Sequence, residues 1–199
     1  MNNPYILISL FIAIAAIILV YARLDKHHTN IRRITLIAVM TALSIVSRFI
    51  FAAVPAFKPM ASIIVLTGMY LGLEAGILCG SLTAFFSNFY FGQGPWTPYQ
   101  MIAFGFIGFM AAILAKQLKK SRITLSIFGL LAGIFYSFFL DIWTMLQTYG
   151  GLSYEGYLTL LVSAVPYTIL YAVSNIFFLL LLNPLFSKRL GRIISKYQI

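Results

Sequence analysis

The chain has 199 residues, of which 61% are hydrophobic and 9% are charged. Soluble domains carry about 25% charged residues, so the composition excludes an ordinary soluble protein and indicates a polytopic membrane protein. The net charge of +10 does not indicate nucleic-acid binding, because twelve of the fourteen Lys and Arg lie in three clusters at the ends of apolar runs. Such clusters are typical of cytoplasmic loops.

Apolar runs long enough to form spanning helices follow one another along the chain. A span needs about 20 apolar residues, and the runs cover residues 4–22, 34–54, 60–91, 98–115, 123–147 and 156–186. The third run is too long for one crossing. Gly72-Leu-Glu-Ala-Gly76 divides it, because an acidic residue between two glycines is typical of a turn. The sequence therefore predicts seven helical segments.

The positions of the basic clusters predict the domain organisation and the orientation. We expect an all-α membrane protein in which residues 1–31 form an extra N-terminal transmembrane helix with a basic cytoplasmic linker, and residues 32–199 form a six-helix substrate-binding core. If all three clusters are cytoplasmic, the N-terminus lies outside and the C-terminus inside. Loops 55–59, 92–97 and 148–155 then share the outer face.

The loop from Phe91 to Met101 has the most unusual composition in the chain. It reads Phe-Gly-Gln-Gly-Pro-Trp-Thr-Pro-Tyr-Gln-Met, and its glycines and prolines break the helix on either side. Trp96 and Tyr99 stand beside two amides, Gln93 and Gln100. A loop that only connects two spans rarely needs such side chains, so we interpret it as the rim of a small-molecule site.

Two charged residues lie within the apolar runs, where a charge costs at least about 2.5–3.5 kcal/mol. Arg48 lies 14 positions after Ile34, and Asp141 lies 18 positions after Ile123. At about 1.5 Å per residue, both fall in the outer half of the membrane at similar depths. The sequence predicts either a structural ion pair between them or contact with a ligand.

Further polar side chains lie near the same level. Asn88 and Gln147 are close to the outer ends of their helices, and Gln147 is one turn above Trp143. Membrane amides commonly bond neighbouring helices, but their shared level favours a site. Asn175 lies further towards the cytoplasm, and we interpret it as an interhelical contact.

The sequence contains no motif for nucleotide hydrolysis or metal-dependent catalysis. His27 and His28 are adjacent, do not share a helix face, and have no cluster of Cys, Asp or Glu to complete a metal site. The chain has four acidic residues, which leaves little for carboxylate catalysis. We therefore expect a protein that is not an enzyme and that has no cofactor.

Three stretches carry a resemblance to a known family. They are Arg32-Arg33 followed by Ala38-Val-Met-Thr-Ala-Leu-Ser-Ile-Val-Ser-Arg48, then Lys58-Pro59, and then Ser87-Asn-Phe-Tyr-Phe-Gly-Gln-Gly-Pro-Trp-Thr-Pro-Tyr-Gln-Met101. On these residues, the sequence resembles the S components of energy-coupling factor (ECF) vitamin transporters, which are their substrate-binding subunits. The last stretch is similar to S components assigned to cobalamin.

The resemblance implies a transport subunit that captures a vitamin, with cobalamin favoured, at the outer face. It would deliver the vitamin by docking on a membrane coupling subunit driven by two ATPase subunits. The family's small-residue motif matches Ala38 and Ala42, which would contact the coupling subunit. Asn2 replaces the histidine of nickel and cobalt members, which argues against metal uptake. The expected substrate-binding residues are Arg48, Lys58, Asn88, Tyr90, Gln93, Trp96, Tyr99, Gln100, Asp141, Trp143 and Gln147.

Several alternatives stay open at this point. The ligand could be riboflavin, folate, a thiamine-related compound or a queuosine precursor, because aromatic rings and amides suit all of them. From a different class, a small secondary transporter would favour repeats and mid-depth carboxylates, of which only Asp141 comes near. An intramembrane enzyme would need a polar cluster near the cytoplasmic face, where only Glu74 and Asn175 lie.

Overall fold

The structure, a computed structural model, describes residues 31–197 together with Phe11 and Ala15, both of which are helical. The remainder of the predicted N-terminal span, residues 4–22, and the linker up to residue 30 lie outside the described residues. Residues 31–197 form helices and contain no strand. We number these helices α1 (Ile31–Ile50), α2 (Met60–Leu71), α3 (Leu73–Phe91), α4 (Thr97–Ile113), α5 (Ala115–Lys120), α6 (Arg122–Tyr149) and α7 (Tyr154–Tyr197).

The break between α2 and α3 falls at the predicted position. Gly72 has a φ of +92°, a conformation that L side chains rarely adopt, and it separates the two helices. Arg33 reaches this turn from α1, donating to the carbonyl of Leu71 at 3.3 Å and pairing with Glu74 at 3.2 Å. The division of residues 60–91 into two helices is confirmed.

Helices α3 and α4 pack backbone to backbone. A Cβ added to Gly76 would overlap the carbonyl group of Gly108, and a Cβ on Gly108 would overlap that of Gly76. Small residues allow membrane helices to approach closely and gain van der Waals contact. Gly68 brings α2 against the same Gly108 carbonyl, so α2, α3 and α4 form one tight group. Helices α6 and α7 pair along their length to form a second group.

Helix α2 begins inside the bundle rather than at its end. The Ser44 hydroxyl on α1 donates to the carbonyl of Met60 at 3.1 Å, and Ser44 lies about 9 Å before the end of α1. Segment 51–59 therefore turns back into the bundle after α1 ends at Ile50. The predicted helix at residues 34–54 is wrong at its C-terminal end.

The returning segment is fastened to α7 by one side chain. The Ser174 hydroxyl accepts a hydrogen bond from the Lys58 N–H at 2.9 Å and donates to the Lys58 carbonyl at 3.1 Å. Backbone polar groups inside a membrane protein must find such partners, because lipid offers none. The position of Lys58 inside the bundle is therefore built into the fold.

Among the described helices, α1, α6 and α7 are long and apolar enough to cross a membrane, and α2 and α4 are shorter apolar helices. The 12 residues of α2 span about 18 Å, which is less than the roughly 30 Å of a bilayer core. Helix α7 has 44 residues and runs on to Tyr197, so the predicted end at residue 186 is too early. The chain is an all-α membrane protein.

The connecting loops separate into two ends of the bundle. At one end, Arg48 near the C-terminus of α1 bonds Asn88 near the C-terminus of α3, and Tyr99 at the start of α4 packs on Trp143 of α6. The three loops predicted to share the outer face therefore lie at the same end. At the other end, the Lys119 ammonium of α5 lies 4.7 Å from the centre of the Tyr70 ring.

Candidate ligand-binding site

An inner cavity opens between α1, α2, α4, α6, α7 and segment 51–59. Its volume is about 90 Å³. Pockets for drug-sized molecules are larger, at about 300–1,000 Å³, and are mostly apolar with a few polar groups. The inner cavity has the second property, because it is lined by Arg48, Ala56, Lys58, Met60, Ala61, Phe104, Ile107, Ala132, Gly133, Tyr136, Tyr171 and Asn175.

Two cationic side chains of the inner cavity lie close to one aromatic ring. The Arg48 guanidinium carbon lies 4.4 Å from the centre of the Phe91 ring, and the Lys58 ammonium lies 5.0 Å from the same point. Cation–π contact stabilises such charges by about 0.5–2 kcal/mol. Among the described residues, no acidic side chain lines this cavity, so the cavity is positively charged.

A chain of hydrogen bonds connects Arg48 to the far wall. The guanidinium donates to the Ser87 hydroxyl and, at 2.8 Å, to the Asn88 side-chain oxygen. The Asn88 amide donates to the Gln100 side-chain oxygen at 2.8 Å, and the Gln100 amide donates to the Tyr136 hydroxyl at 3.2 Å. Asn88 is fully buried. It therefore positions two cavity residues, Arg48 and Tyr136, rather than lining the cavity itself.

The loop between α3 and α4 is shaped by its own polar groups. The Gln93 amide donates to the Phe85 carbonyl at 2.8 Å, and the Thr97 hydroxyl donates to the Gln93 side-chain oxygen at 2.9 Å. The same hydroxyl accepts from the Asn88 amide at 3.0 Å and from the Gly94 N–H at 3.3 Å. The loop is thus tied into the same network, and Gln93 has a structural role.

An outer cleft adjoins the inner cavity at this end. Its volume is about 340 Å³, and it is lined by Trp96, Gln100, Tyr136, Ser137, Leu140, Asp141, Trp143, Thr144, Ala164, Tyr167 and Tyr171. Tyr136 and Tyr171 line both spaces. Their ring centres are 5.2 Å apart in an edge-to-face arrangement, so this pair forms the wall between the inner cavity and the outer cleft.

Asp141 lies in the outer cleft and not beside Arg48. No ion pair joins these two described residues, and within residues 31–197 nothing donates a hydrogen bond to the buried Oδ2 of Asp141. The predicted pair is wrong. Both residues lie near the same end of the bundle, but Arg48 points towards α3, whereas Asp141 faces the space beside α7.

The remaining predicted residues separate into two sets. Trp96, Gln100 and Trp143 line the outer cleft. Tyr99 is buried behind Trp143, with ring centres 5.4 Å apart. Neither space is lined by Tyr90, which is 73% exposed and packs on Phe49 and Phe91, or by Gln147, which is exposed at the end of α6.

The structure adds cavity residues that sequence reasoning missed. Tyr136 stacks on Phe104 with ring centres 4.4 Å apart, and Tyr171 completes the aromatic wall. Asn175 donates to the Gly129 carbonyl at 3.2 Å, which confirms the predicted interhelical contact, but it also lines the inner cavity. A tyrosine in the middle of an apolar helix, away from any interface belt, is the signal that could have indicated the first two.

Most of the chain is similar to a known protein family. Residues 28–192 match the family model described as the S component of the ECF-type riboflavin transporter. Comparisons with curated proteins and with solved structures give no significant match. The matched range covers all of α1 to α6 and most of α7, so the predicted resemblance to ECF S components is confirmed. The chain therefore belongs to the S-component family of ECF-type riboflavin transporters.

Proposed function

We propose that this protein is the riboflavin-binding subunit of an ECF-type importer and that the inner cavity receives the flavin ring. The observation that carries the proposal is an aromatic wall of Phe104, Tyr136 and Tyr171 facing two cations, Arg48 and Lys58. A flat ring system can stack on such a wall. Its carbonyl oxygens and the ring nitrogens that carry neither a hydrogen nor the side chain are acceptors for guanidinium and ammonium donors.

Riboflavin replaces cobalamin as the favoured ligand. The matching family model describes a riboflavin transporter subunit. The inner cavity, at about 90 Å³, would need far less enlargement to admit a tricyclic ring than to admit a much larger corrinoid. The long polar loop at residues 91–101 is the feature that favours cobalamin. It lies at the rim, however, and contributes Trp96 and Gln100 to the outer cleft only.

Delivery would follow the scheme of ECF S components, which work with a membrane coupling subunit and ATPases. Ala38 and Ala42 are both exposed on α1, and they lie about 9–15 Å along the helix from Arg48. Small side chains at these two positions would let another helix approach closely. In this scheme six core helices cross the membrane, the N-terminus is outside, and the C-terminus and basic end are cytoplasmic.

Titration of the full-length protein in detergent, freed of bound ligand, tests the proposal. Riboflavin fluorescence should be quenched on binding, while cobalamin, folate and thiamine should not compete at equal concentration. Tyr171→Leu should weaken riboflavin binding about tenfold, because stacking on an aromatic ring contributes about 1–3 kcal/mol. Tyr154→Leu is the matched control, since Tyr154 is 78% exposed at the start of α7.

Two results would count against riboflavin. If the wild-type protein does not quench riboflavin fluorescence, riboflavin is excluded as a ligand. Binding of cobalamin instead would support the ligand that the sequence favours. Equal affinities of the Tyr171→Leu and Tyr154→Leu variants would show that the aromatic wall is not the binding surface.

A further inference from the structure

The inner cavity and the outer cleft carry opposite charges. Arg48 and Lys58 line the inner cavity, and Asp141 lines the outer cleft. Within residues 31–197, no ion pair links Arg48 or Lys58 to Asp141, so the charges of the two spaces stay separate. The shared wall of Tyr136 and Tyr171 is what separates them. A ligand that lies against both tyrosines and reaches both spaces would therefore meet donors at one end and an acceptor at the other.

Asp141 is placed for contact with a ligand rather than for holding the fold. Its Oδ2 is buried, and no described residue donates a hydrogen bond to it. The other acidic residues of the described range have different surroundings, since Glu74 pairs with Arg33 and Glu155 is exposed at the start of α7. A buried carboxylate oxygen without a partner is costly to keep, so a rotation of the Asp141 side chain that brings this oxygen to a hydroxyl donor in the outer cleft would be stabilising.

We infer that Asp141 is a specificity-determining residue that accepts a hydrogen bond from the ribityl chain of riboflavin and rejects flavin mononucleotide (FMN). The inference rests on the proposed function. The flavin ring occupies the inner cavity with its acceptor atoms towards Arg48 and Lys58, and the ribityl hydroxyls extend past Tyr136 and Tyr171 into the outer cleft. The phosphate of FMN, at the end of that chain, would then lie in the same cleft as a carboxylate of like charge.

The reverse orientation of the ligand predicts the reverse preference between riboflavin and FMN. With the ring between Trp96 and Trp143 in the outer cleft, the chain would extend inward to Arg48 and Lys58. Those cations would attract a phosphate, so FMN would bind at least as well as riboflavin. The charge distribution favours the first orientation, because the ring presents mainly acceptors and a single N–H donor, whereas every ribityl hydroxyl can donate to Asp141.

The experiment measures dissociation constants of the full-length protein for riboflavin, FMN and lumiflavin, in which a methyl group replaces the ribityl chain of the flavin ring. Wild-type protein should bind FMN at least about tenfold more weakly than riboflavin. Asp141→Asn should reduce that ratio about tenfold, chiefly by improving FMN binding, and should leave lumiflavin binding unchanged. Asp141→Glu should keep the discrimination. Glu155→Gln, the matched control, removes an acidic charge at the same end of the bundle and should keep the wild-type ratio.

The remaining outcomes distinguish failure of the proposed function from failure of this inference. Absence of riboflavin binding by the wild-type protein would overturn the proposed function and this inference with it. Riboflavin binding with equal or tighter FMN binding would overturn the inference alone, and a selective loss of FMN in Lys58→Met would establish the reverse orientation. If Asp141→Asn does not fold, the wild-type preference among the three ligands and the Asp141→Glu variant still decide the question.

Discussion

Replacing Asn88 by alanine should destabilise the protein more than any other single amide substitution in the described bundle. The side chain is 1% exposed. It accepts one hydrogen bond from the Arg48 guanidinium and donates two, to Thr97 and Gln100. A neutral hydrogen bond contributes about 1 kcal/mol and a charged one about 2 kcal/mol. The loss should therefore be about 4 kcal/mol in the free energy of unfolding.

Equilibrium unfolding in mixed detergent micelles provides the measurement, and Asn183→Ala provides the control. Asn183 is half-buried at the opposite end and accepts one hydrogen bond, from the Tyr70 hydroxyl at 2.8 Å, so its loss should cost about 1 kcal/mol. The Asn88→Ala variant should also bind riboflavin more weakly, because Arg48 loses an acceptor that orients it. If Asn88→Ala costs no more than Asn183→Ala, the network does not hold the site together.

Three further outcomes are expected. Gly108→Ala should lower the free energy of unfolding by about 3 kcal/mol, because the added methyl group overlaps the Gly76 carbonyl. Gly191→Ala is the control and should have almost no effect, since Gly191 has open space around it. Equal stabilities of the two variants would contradict the close packing of α3 on α4. Ala38→Leu or Ala42→Leu should abolish riboflavin uptake by cells while the purified protein keeps its affinity within about twofold, because bulk on this exposed face blocks helix approach; parallel loss of binding and uptake would place both alanines in the core. The changes that Arg48→Met and Asp141→Asn cause in the free energy of unfolding should add within about 0.5 kcal/mol. A coupling energy above about 1 kcal/mol would show that the two side chains interact as an ion pair.

Helix boundaries could be predicted where the backbone itself is constrained. Gly72 and the glycines and prolines between residues 92 and 98 mark the ends of α2, α3 and α4 to within a few residues. The end of α1 could not be found this way, because the stretch Phe-Ala-Ala-Val after Ile50 is as apolar as the helix before it. Tight turns carry the chain there, with hydrogen bonds from Ala52 to Phe49 and from Val54 to Phe51 at 3.0 and 3.1 Å.

The candidate site could be predicted in part, for a physical reason. A charge in an apolar run is costly, so Arg48 and Asp141 stand out in the sequence, and both line a space in the structure. Their partners do not follow from the sequence, because spacing along a helix gives depth and says little about which neighbour a side chain faces. Tyr136 and Tyr171 were missed because aromatic residues are frequent throughout this chain, at 16% of all residues.

The fastening of Lys58 by the Ser174 hydroxyl has a kinetic consequence. Ala56 and Lys58 line the inner cavity, so segment 51–59 must move aside before a large ring can pass on that side. The barrier to this movement includes two hydrogen bonds made by one oxygen atom, in surroundings where water is scarce and such bonds are strong. We therefore expect Ser174→Ala to shorten the residence time of a bound ligand, although Ser174 does not line the inner cavity.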